Sequence, residues 1–291
     1  MPNQQPQDTK NTSDYLTVSC IQMCSSADVI ENLETAEALI QQAARSGAKL
    51  VVLPEYFPIM AHSHKAKLLC QESFGEGPIQ EWLQKVAKDN QVWLIAGSIP
   101  ICSSDQNRPF ARCLVLNENG HVEGFYDKIH MFDVEVEDTT KRYFESAGTM
   151  PGKDPSIIHT PWGKIGLAVC YDLRFPEVFT YYRNNGVSII TLPSAFTVPT
   201  GKAHWKTLVK ARAIDSQSYI IAPAQSGLHQ NGRETWGHSM VVDPWGEIVG
   251  ELEKELGVLV TTIEIQKVKS VRDKMPLSNQ VVLDRDKDYR P

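Results

Sequence analysis

Three stretches from the first half of this chain return, in the same order, in its second half. Gly47-Ala-Lys-Leu-Val-Val-Leu-Pro-Glu-Tyr-Phe57 resembles Gly186-Val-Ser-Ile-Ile-Thr-Leu-Pro-Ser-Ala-Phe196. Asn90-Gln-Val-Trp-Leu-Ile-Ala96 resembles Ser216-Gln-Ser-Tyr-Ile-Ile-Ala222, and Cys113-Leu-Val-Leu-Asn-Glu-Asn-Gly120 resembles Ser239-Met-Val-Val-Asp-Pro-Trp-Gly246. The last two pairs are separated by the same length of chain. Strand–turn patterns do look alike by chance, but three matches in order, two in one register, favour a repeat. Two related α–β halves follow. Each has a sheet with one face under helices and the other free to pack on its twin, which is an α/β sandwich of four layers, α-β-β-α, with an internal pseudo-two-fold. A site formed between such halves draws residues from both.

The local patterns agree. Asp28–Ala44 places Val29, Leu33, Ala36, Ile40 and Ala43 on one helical face. Short apolar runs such as Leu50–Leu53 suit strands buried on both faces. Further strands are expected at 16–23, 92–98, 113–116, 165–170, 188–192, 219–223, 239–242 and 258–263, and helices at 79–89, 176–184 and 203–216. Residues 1–15, rich in Gln, Asn, Asp and Pro, read as a disordered leader. Residues 16–272 then form one domain, and 273–291 a charged tail.

Composition removes several classes of function. The 291 residues are 42% hydrophobic and 22% charged, ordinary for a soluble globular protein. The net charge is −6 and there is no basic cluster, so nucleic acid is excluded as a partner. No apolar run approaches the roughly 18 residues of a membrane span, and the N-terminus lacks the apolar stretch of a signal peptide. The six cysteines are scattered without a C-x-x-C pair, which indicates neither a zinc site nor a redox motif and fits a reducing cytoplasm. His62-Ser-His64 lacks a third metal ligand, and Gly148–Lys153 lacks the spacing of a phosphate-binding loop. Asn11-Thr12-Ser13 matches a glycosylation triplet that stays idle without a secretory signal.

Three residues at expected strand ends stand out. Glu55 follows Leu50-Val-Val-Leu-Pro, where the proline bars further ladder pairing, and Tyr56-Phe57 on its other side should desolvate it and raise its pKa toward that of a general base. Lys128 lies among aromatic and aliphatic residues in Phe125-Tyr-Asp-Lys-Ile-His-Met-Phe132. Cys170 ends Lys164-Ile-Gly-Leu-Ala-Val and precedes Tyr171-Asp-Leu-Arg-Phe-Pro, a strand–turn–helix pattern that exposes a nucleophile and, at the helix N-terminus, favours its thiolate. A buried core cysteine is the plainer reading for the other five.

Leu53-Pro-Glu-Tyr-Phe57, Tyr126-Asp-Lys-Ile-His130 and Gly166-Leu-Ala-Val-Cys-Tyr-Asp-Leu-Arg-Phe-Pro-Glu177 resemble, in order, the three signature regions of the nitrilase superfamily of carbon–nitrogen hydrolases. The likeness extends through Leu192-Pro-Ser-Ala-Phe196 and Gly237-His-Ser-Met-Val-Val-Asp-Pro-Trp-Gly246, covering roughly residues 16–270. It implies a catalytic triad of Glu55, Lys128 and Cys170, with Glu145 as an accessory carboxylate and the backbone of Tyr171 as an oxyanion donor. It implies no metal or organic cofactor, a small-molecule amide as substrate, and a homodimer or larger homo-oligomer.

True nitrilases carry Trp-Glu after the cysteine. Here Tyr171-Asp172-Leu173-Arg174 follows, which points to the amidase branch, and the flanking motifs are most similar to those of amidases acting on deaminated glutathione. An ω-amidase acting on 2-oxoglutaramate is the near alternative, and a silent ligand-binding member or a purely structural sandwich are the non-enzymatic ones. Arg174 suits a substrate carboxylate or a salt bridge to Glu177, and Ser194 and Phe196 are further candidates for substrate contact.

Overall fold

The structure is a computed structural model and describes residues 14–281. The first sheet is built from β1 (Tyr15–Gln22), β2 (Leu50–Val52), β3 (Trp93–Ile95), β4 (Ile99–Ile101), β5 (Phe110–Leu116) and β6 (Val122–Asp127). A small hairpin of β7 (Asp133–Glu135) and β8 (Arg142–Phe144) stands apart from it. The second sheet takes β9 (Ser156–Thr160), β10 (Gly163–Leu167), β11 (Ile189–Thr191) and β12 (Tyr219–Ala222). It continues, after a second separate hairpin of β13 (Ser226–Leu228) and β14 (Glu234–Trp236), with β15 (Met240–Val242) and β16 (Ile248–Glu251). The last strand, β17 (Gly257–Glu264), returns to the first sheet and pairs antiparallel with β1.

The repeat is visible in the topology. In the first sheet β1, β2 and β3 run parallel and β5 closes antiparallel; in the second, β10, β11 and β12 run parallel and β15 closes antiparallel. The helices repeat as well: α1 (Val29–Arg45) and α3 (Pro78–Asn90) cover the first sheet, α4 (Pro176–Asn184) and α6 (Lys206–Ser216) the second. Gln91 and Gln217, matched residues of the repeat, both end their helices in the left-handed conformation at φ +50°. Three further helices lie outside the repeat: α2 (His64–Leu69), the single turn α5 (Val198–Thr200) and α7 (Gln266–Lys274).

Alternation along the strands makes the layers. Val18, Cys20, Leu50, Val52, Trp93, Ile95, Cys113 and Val115 join one apolar cluster with the second sheet, through residues such as Leu167, Ile189 and Met240. The residues between them, Ile21, Val51, Leu94 and Leu114, turn to α1 and α3 instead, where Ala36, Ile40, Ala43, Leu83 and Val86 meet them. The α-β-β-α sandwich follows from this period of two. α1 starts where Asp28 accepts hydrogen bonds from the amides of Ile30 and Glu31 (2.8 and 3.2 Å), a cap that contributes about 1 kcal/mol.

Several sequence expectations shift. β1 begins at Tyr15, inside the stretch read as leader, the rest of which lies outside the described residues apart from Asp14; α7 crosses the expected boundary at 272, and residues 282–291 of the tail also lie outside. The strand expected over 165–170 stops at Leu167, because the chain must turn to place Cys170. Cys20 and Cys113 are core residues, whereas Cys24 and Cys70 are half-buried and Cys102 is exposed. Each of those three follows the end of a strand or helix, where no apolar layer continues.

Candidate active site

Three strand ends converge. Leu53, just past β2, still donates to the Ile95 carbonyl, and then Pro54 turns the chain. Glu55 sits in that turn, held by Gln225 of the other half, whose Nε2 donates to the Glu55 carbonyl (2.9 Å), and by Tyr56, whose amide donates to Ser98 Oγ (2.9 Å). Gly97 makes room: a Cβ there would lie 2.0 Å from the Pro54 carbonyl oxygen. Lys128 is the residue after β6, its amide donating to the Ala111 carbonyl. Cys170 follows β10 and opens a short 3-10 turn, Cys170–Arg174, with its own φ at +48°. Such a left-handed backbone at a residue with a Cβ costs of order 1–3 kcal/mol and is held by the surroundings, here by the Cys170 amide donating to the Pro193 carbonyl (2.9 Å).

Lys128 is the hub. Its Nζ donates to Glu55 Oε1 (2.8 Å) and to both oxygens of Glu145 (2.9 and 2.8 Å), and Glu55 and Lys128 are each 1% exposed. Glu145, from the turn after β8, also accepts from the Tyr56 hydroxyl (2.9 Å) and the Phe132 amide (2.7 Å). The two carboxylates therefore differ. Burial pushes Glu145 up, but the Lys128 charge and these hydrogen bonds outweigh it and hold the group below the usual range. Glu55 has fewer partners: its buried Oε2 has no close donor, and the Cys170 thiol lies toward the same carboxylate. Burial raises its carboxyl, Lys128 opposes this, and the Glu145 charge adds to the rise. Burial lowers Lys128, but Glu145 and Glu55 together more than reverse that and keep it cationic.

Cys170 does not follow the expectation of a helix-stabilised thiolate. Burial pushes its thiol up, the Glu55 charge adds to this, and Lys128 opposes it without prevailing. The 3-10 turn Cys170–Arg174 stands between it and α4, whose first residue is Pro176. The resting group is a thiol that needs a base. Asp172 holds this turn against the lysine-bearing segment: it accepts from Tyr126 Oη (2.7 Å), from the amides of His130 (3.1 Å) and Val169 (2.8 Å), and pairs with His130 Nδ1 (2.7 Å).

Glu55, Lys128, Glu145 and Cys170 line a cavity of about 640 Å³, joined by Tyr171 and Phe196 from the sequence-derived set. Ser194 and Arg174 are placed elsewhere. Ser194 is buried with its hydroxyl on the Leu192 carbonyl (3.0 Å), and the Arg174 guanidinium lies against His204 Nδ1 and over the rings of Tyr171 and Phe196. His130 stacks on Phe175 at 3.6 Å and is likewise outside the lining. Lining residues that sequence reasoning missed are Lys67 on α2, Tyr56, Arg142 and Tyr143 on β8, and Arg233 before β14. Each stands in a polar or turn-like stretch that carries no periodic signal. Among the described residues no cluster of His, Cys, Asp and Glu could hold a metal ion.

The family model for carbon-nitrogen hydrolases matches residues 17–273. The chain belongs to the carbon–nitrogen hydrolase family. Within the family, it is 39% identical to the deaminated glutathione amidase of Yersinia enterocolitica over 89% of this chain and 91% of that one. It is also 39% identical to the human deaminated glutathione amidase, over 89% and 80% of the two chains. Among solved structures, the C. elegans NitFhit protein superposes with a TM-score of 0.85 at 32% identity, covering 92% of this chain and 65% of that longer one. A Saccharomyces cerevisiae member of the nitrilase superfamily superposes with a TM-score of 0.83 at 28% identity, covering 94% and 99%. The chain is thus a hydrolase of the nitrilase superfamily with that family's α-β-β-α sandwich.

Proposed function

We propose that the protein hydrolyses the amide of deaminated glutathione, releasing 2-oxoglutarate and cysteinylglycine, through a thioester on Cys170. The observation that carries the mechanism is that Glu55 Oε2 has no close donor in a buried array whose other carboxylate, Glu145, is fully engaged. The likeness to deaminated glutathione amidases over nearly the whole chain supports the substrate.

Chemistry follows from the charges. Glu55 takes the thiol proton as the Cys170 sulfur attacks the amide carbon, and Lys128 with the Tyr171 backbone N–H holds the oxygen that becomes negative. Protonated Glu55 then delivers that proton to the departing nitrogen, which leaves as the amine of cysteinylglycine. Water loses a proton to Glu55 and attacks the thioester; collapse releases 2-oxoglutarate, and the sulfur recovers its proton from Glu55. Glu145 keeps the ammonium of Lys128 in place throughout. We place the enzyme in the cytoplasm as a homo-oligomer. Support comes from six unpaired cysteines, which suit a reducing compartment, and from the exposed Ile214 on α6, which lies against Gly246 next to the exposed Trp245.

The test is a panel of deaminated glutathione, 2-oxoglutaramate, an aliphatic nitrile and an N-carbamoyl amino acid, read by product release and by intact mass. We expect 2-oxoglutarate from the first, an acyl adduct on Cys170, and no turnover by a folded Cys170→Ala variant. Turnover by that variant removes the nucleophile assignment; turnover of the nitrile or carbamoyl compound alone removes the substrate.

A further inference from the structure

The cavity holds more positive charge than the chemistry uses. Its lining carries two carboxylates, Glu55 and Glu145, and both meet Lys128. Lys67, Arg142 and Arg233 also line it, and among the described residues none of the three forms an ion pair with a carboxylate. Arg142 is exposed at the rim, where water screens it. Lys67 and Arg233 are drawn further in. Lys67 Nζ donates only to neutral groups, the Gly148 carbonyl (2.8 Å) and Thr149 Oγ1 (2.5 Å). Arg233 donates to the Ala195 carbonyl, while its Nε is buried with no acceptor. A partly buried cation with no carboxylate in contact gains from a ligand that brings one.

Arg233 reaches the reacting sulfur's neighbourhood through Ala195, whose carbonyl accepts from Arg233 and whose backbone also hydrogen-bonds Cys170. Its guanidinium lies over the rings of Tyr56 (5.8 Å) and Tyr143 (5.3 Å), one aromatic layer from Glu145, which Tyr56 contacts through its hydroxyl. Its charge bears on Glu55, and it lies within electrostatic reach of Cys170 once the sulfur becomes anionic. Lys67 acts on the Lys128–Glu145 side, where burial lowers its own pKa to about 8 against the pull of Glu145. A planar fork beside the nucleophile matches a 2-oxo acid, whose carboxylate and keto oxygens lie in one plane.

We propose that Arg233 and Lys67 form a two-point anion receptor, in which Arg233 grips the 2-oxo carboxylate of the acyl half and Lys67 the carboxylate of the leaving half. This rests on the amide-hydrolase reading above and deepens it: the site selects substrates with a carboxylate on each side of the scissile bond. In deaminated glutathione the first carboxylate stands only two methylenes and a keto carbon from the scissile carbonyl, whereas the second terminates the glycine of the leaving dipeptide. The near cation thus takes the near carboxylate. It also moves the anchoring role from Arg174 to a residue of the second half's hairpin loop.

Two substrates with the same acyl half separate the two points. Deaminated glutathione carries both carboxylates, and 2-oxoglutaramate lacks the second. Arg233→Met should lower kcat/KM by about 10- to 100-fold on both, to a similar extent, since a hydrogen-bonded charge is lost from each. Arg233→Lys should recover part of the loss. Lys67→Met should fall at least 10-fold further on deaminated glutathione than on 2-oxoglutaramate. Unchanged KM in Arg233→Met, or equal losses for Lys67→Met on the two substrates, overturns the receptor while leaving the hydrolase reading intact. Should the wild-type enzyme turn over neither substrate, the hydrolase reading fails separately. The receptor is then tested by calorimetric binding of deaminated glutathione to Cys170→Ala with and without Arg233→Met. Weaker binding in the double variant supports it; equal or absent binding overturns it.

Discussion

One ammonium serves two carboxylates at the bottom of the cavity, and the unequal sharing sets their roles. Glu145 uses both oxygens on Lys128, Tyr56 and Phe132, so a proton has little to gain there. Glu55 keeps one oxygen without a close donor and a pKa raised by burial above the usual carboxylate value, which suits a group that takes up and returns a proton. Two pH consequences follow, both carried by the deprotonated Glu55 as the working base. Activity should fall as pH drops through the raised pKa of Glu55. Because the Glu145 charge helps raise it, Glu145→Gln should move that acid limb of kcat/KM to lower pH, even as kcat falls from a less firmly held Lys128. An acid limb that stays put or moves upward would show that Glu145 does not act on Glu55. Glu55→Gln should lose about 10²–10⁴ in the acylation rate, read by rapid-quench mass spectrometry of the Cys170 adduct.

Strand ends position these residues, and they do so by forcing the backbone into narrow choices. Glu55 is followed by Tyr56 at φ +58°, Cys170 itself sits at +48°, and Gly97 at +53° passes against Pro54. Gly97→Ala would drive a methyl into the Pro54 carbonyl, a backbone group that cannot swing aside, and should cost about 1–3 kcal/mol beyond the left-handed backbone itself while displacing Glu55 and lowering kcat. Gly47→Ala is the control: Gly47 has positive φ but open space, so it should cost only about 1–2 kcal/mol and spare kcat. Urea midpoints and steady-state rates on both variants decide this. The same elements show what could be read from sequence. Apolar runs such as Leu50–Leu53 marked the central strands, and Glu55 and Cys170 stood out at the ends of two of them, whereas β6, which ends at Lys128, left no such run. The β7–β8 and β13–β14 hairpins carried no such signal. Asp133–Glu135 and Arg142–Phe144 are three residues each, and none of the six is fully buried, so neither leaves the apolar run that marks a core strand. Arg142, Tyr143 and Arg233 were missed for that reason.

At the scale of the molecule, the repeat was legible because both halves solve the same packing problem with the same strand order, down to matched left-handed helix ends at Gln91 and Gln217. What the repeat does not describe is how the halves are joined, since that work falls to unmatched polar residues. Gln22 binds Ser239 and the Glu253 and Glu255 carbonyls, Gln225 ties Ser25 to Glu55, and His229 links the Ser25 carbonyl (2.9 Å) to Thr235 Oγ1 (2.8 Å). His229 makes the seam sensitive to acid. It is 3% exposed, and burial lowers its pKa from 6.5 to about 4. With Nδ1 donating to the Ser25 carbonyl, neutral imidazole leaves Nε2 to accept from the Thr235 hydroxyl, an arrangement that protonation disrupts. The unfolded chain takes up this proton first, so the stability contributed by neutral His229 is complete above pH 6.5 and is lost progressively as pH falls toward 4. The shift corresponds to about 3 kcal/mol at most. Urea midpoints of the wild type should therefore drop between these two pH values more steeply than those of His229→Gln, whose amide can donate to Ser25 and accept from Thr235 without titrating. Parallel curves would mean that the seam opens by another route, and that the histidine is held there for its shape alone.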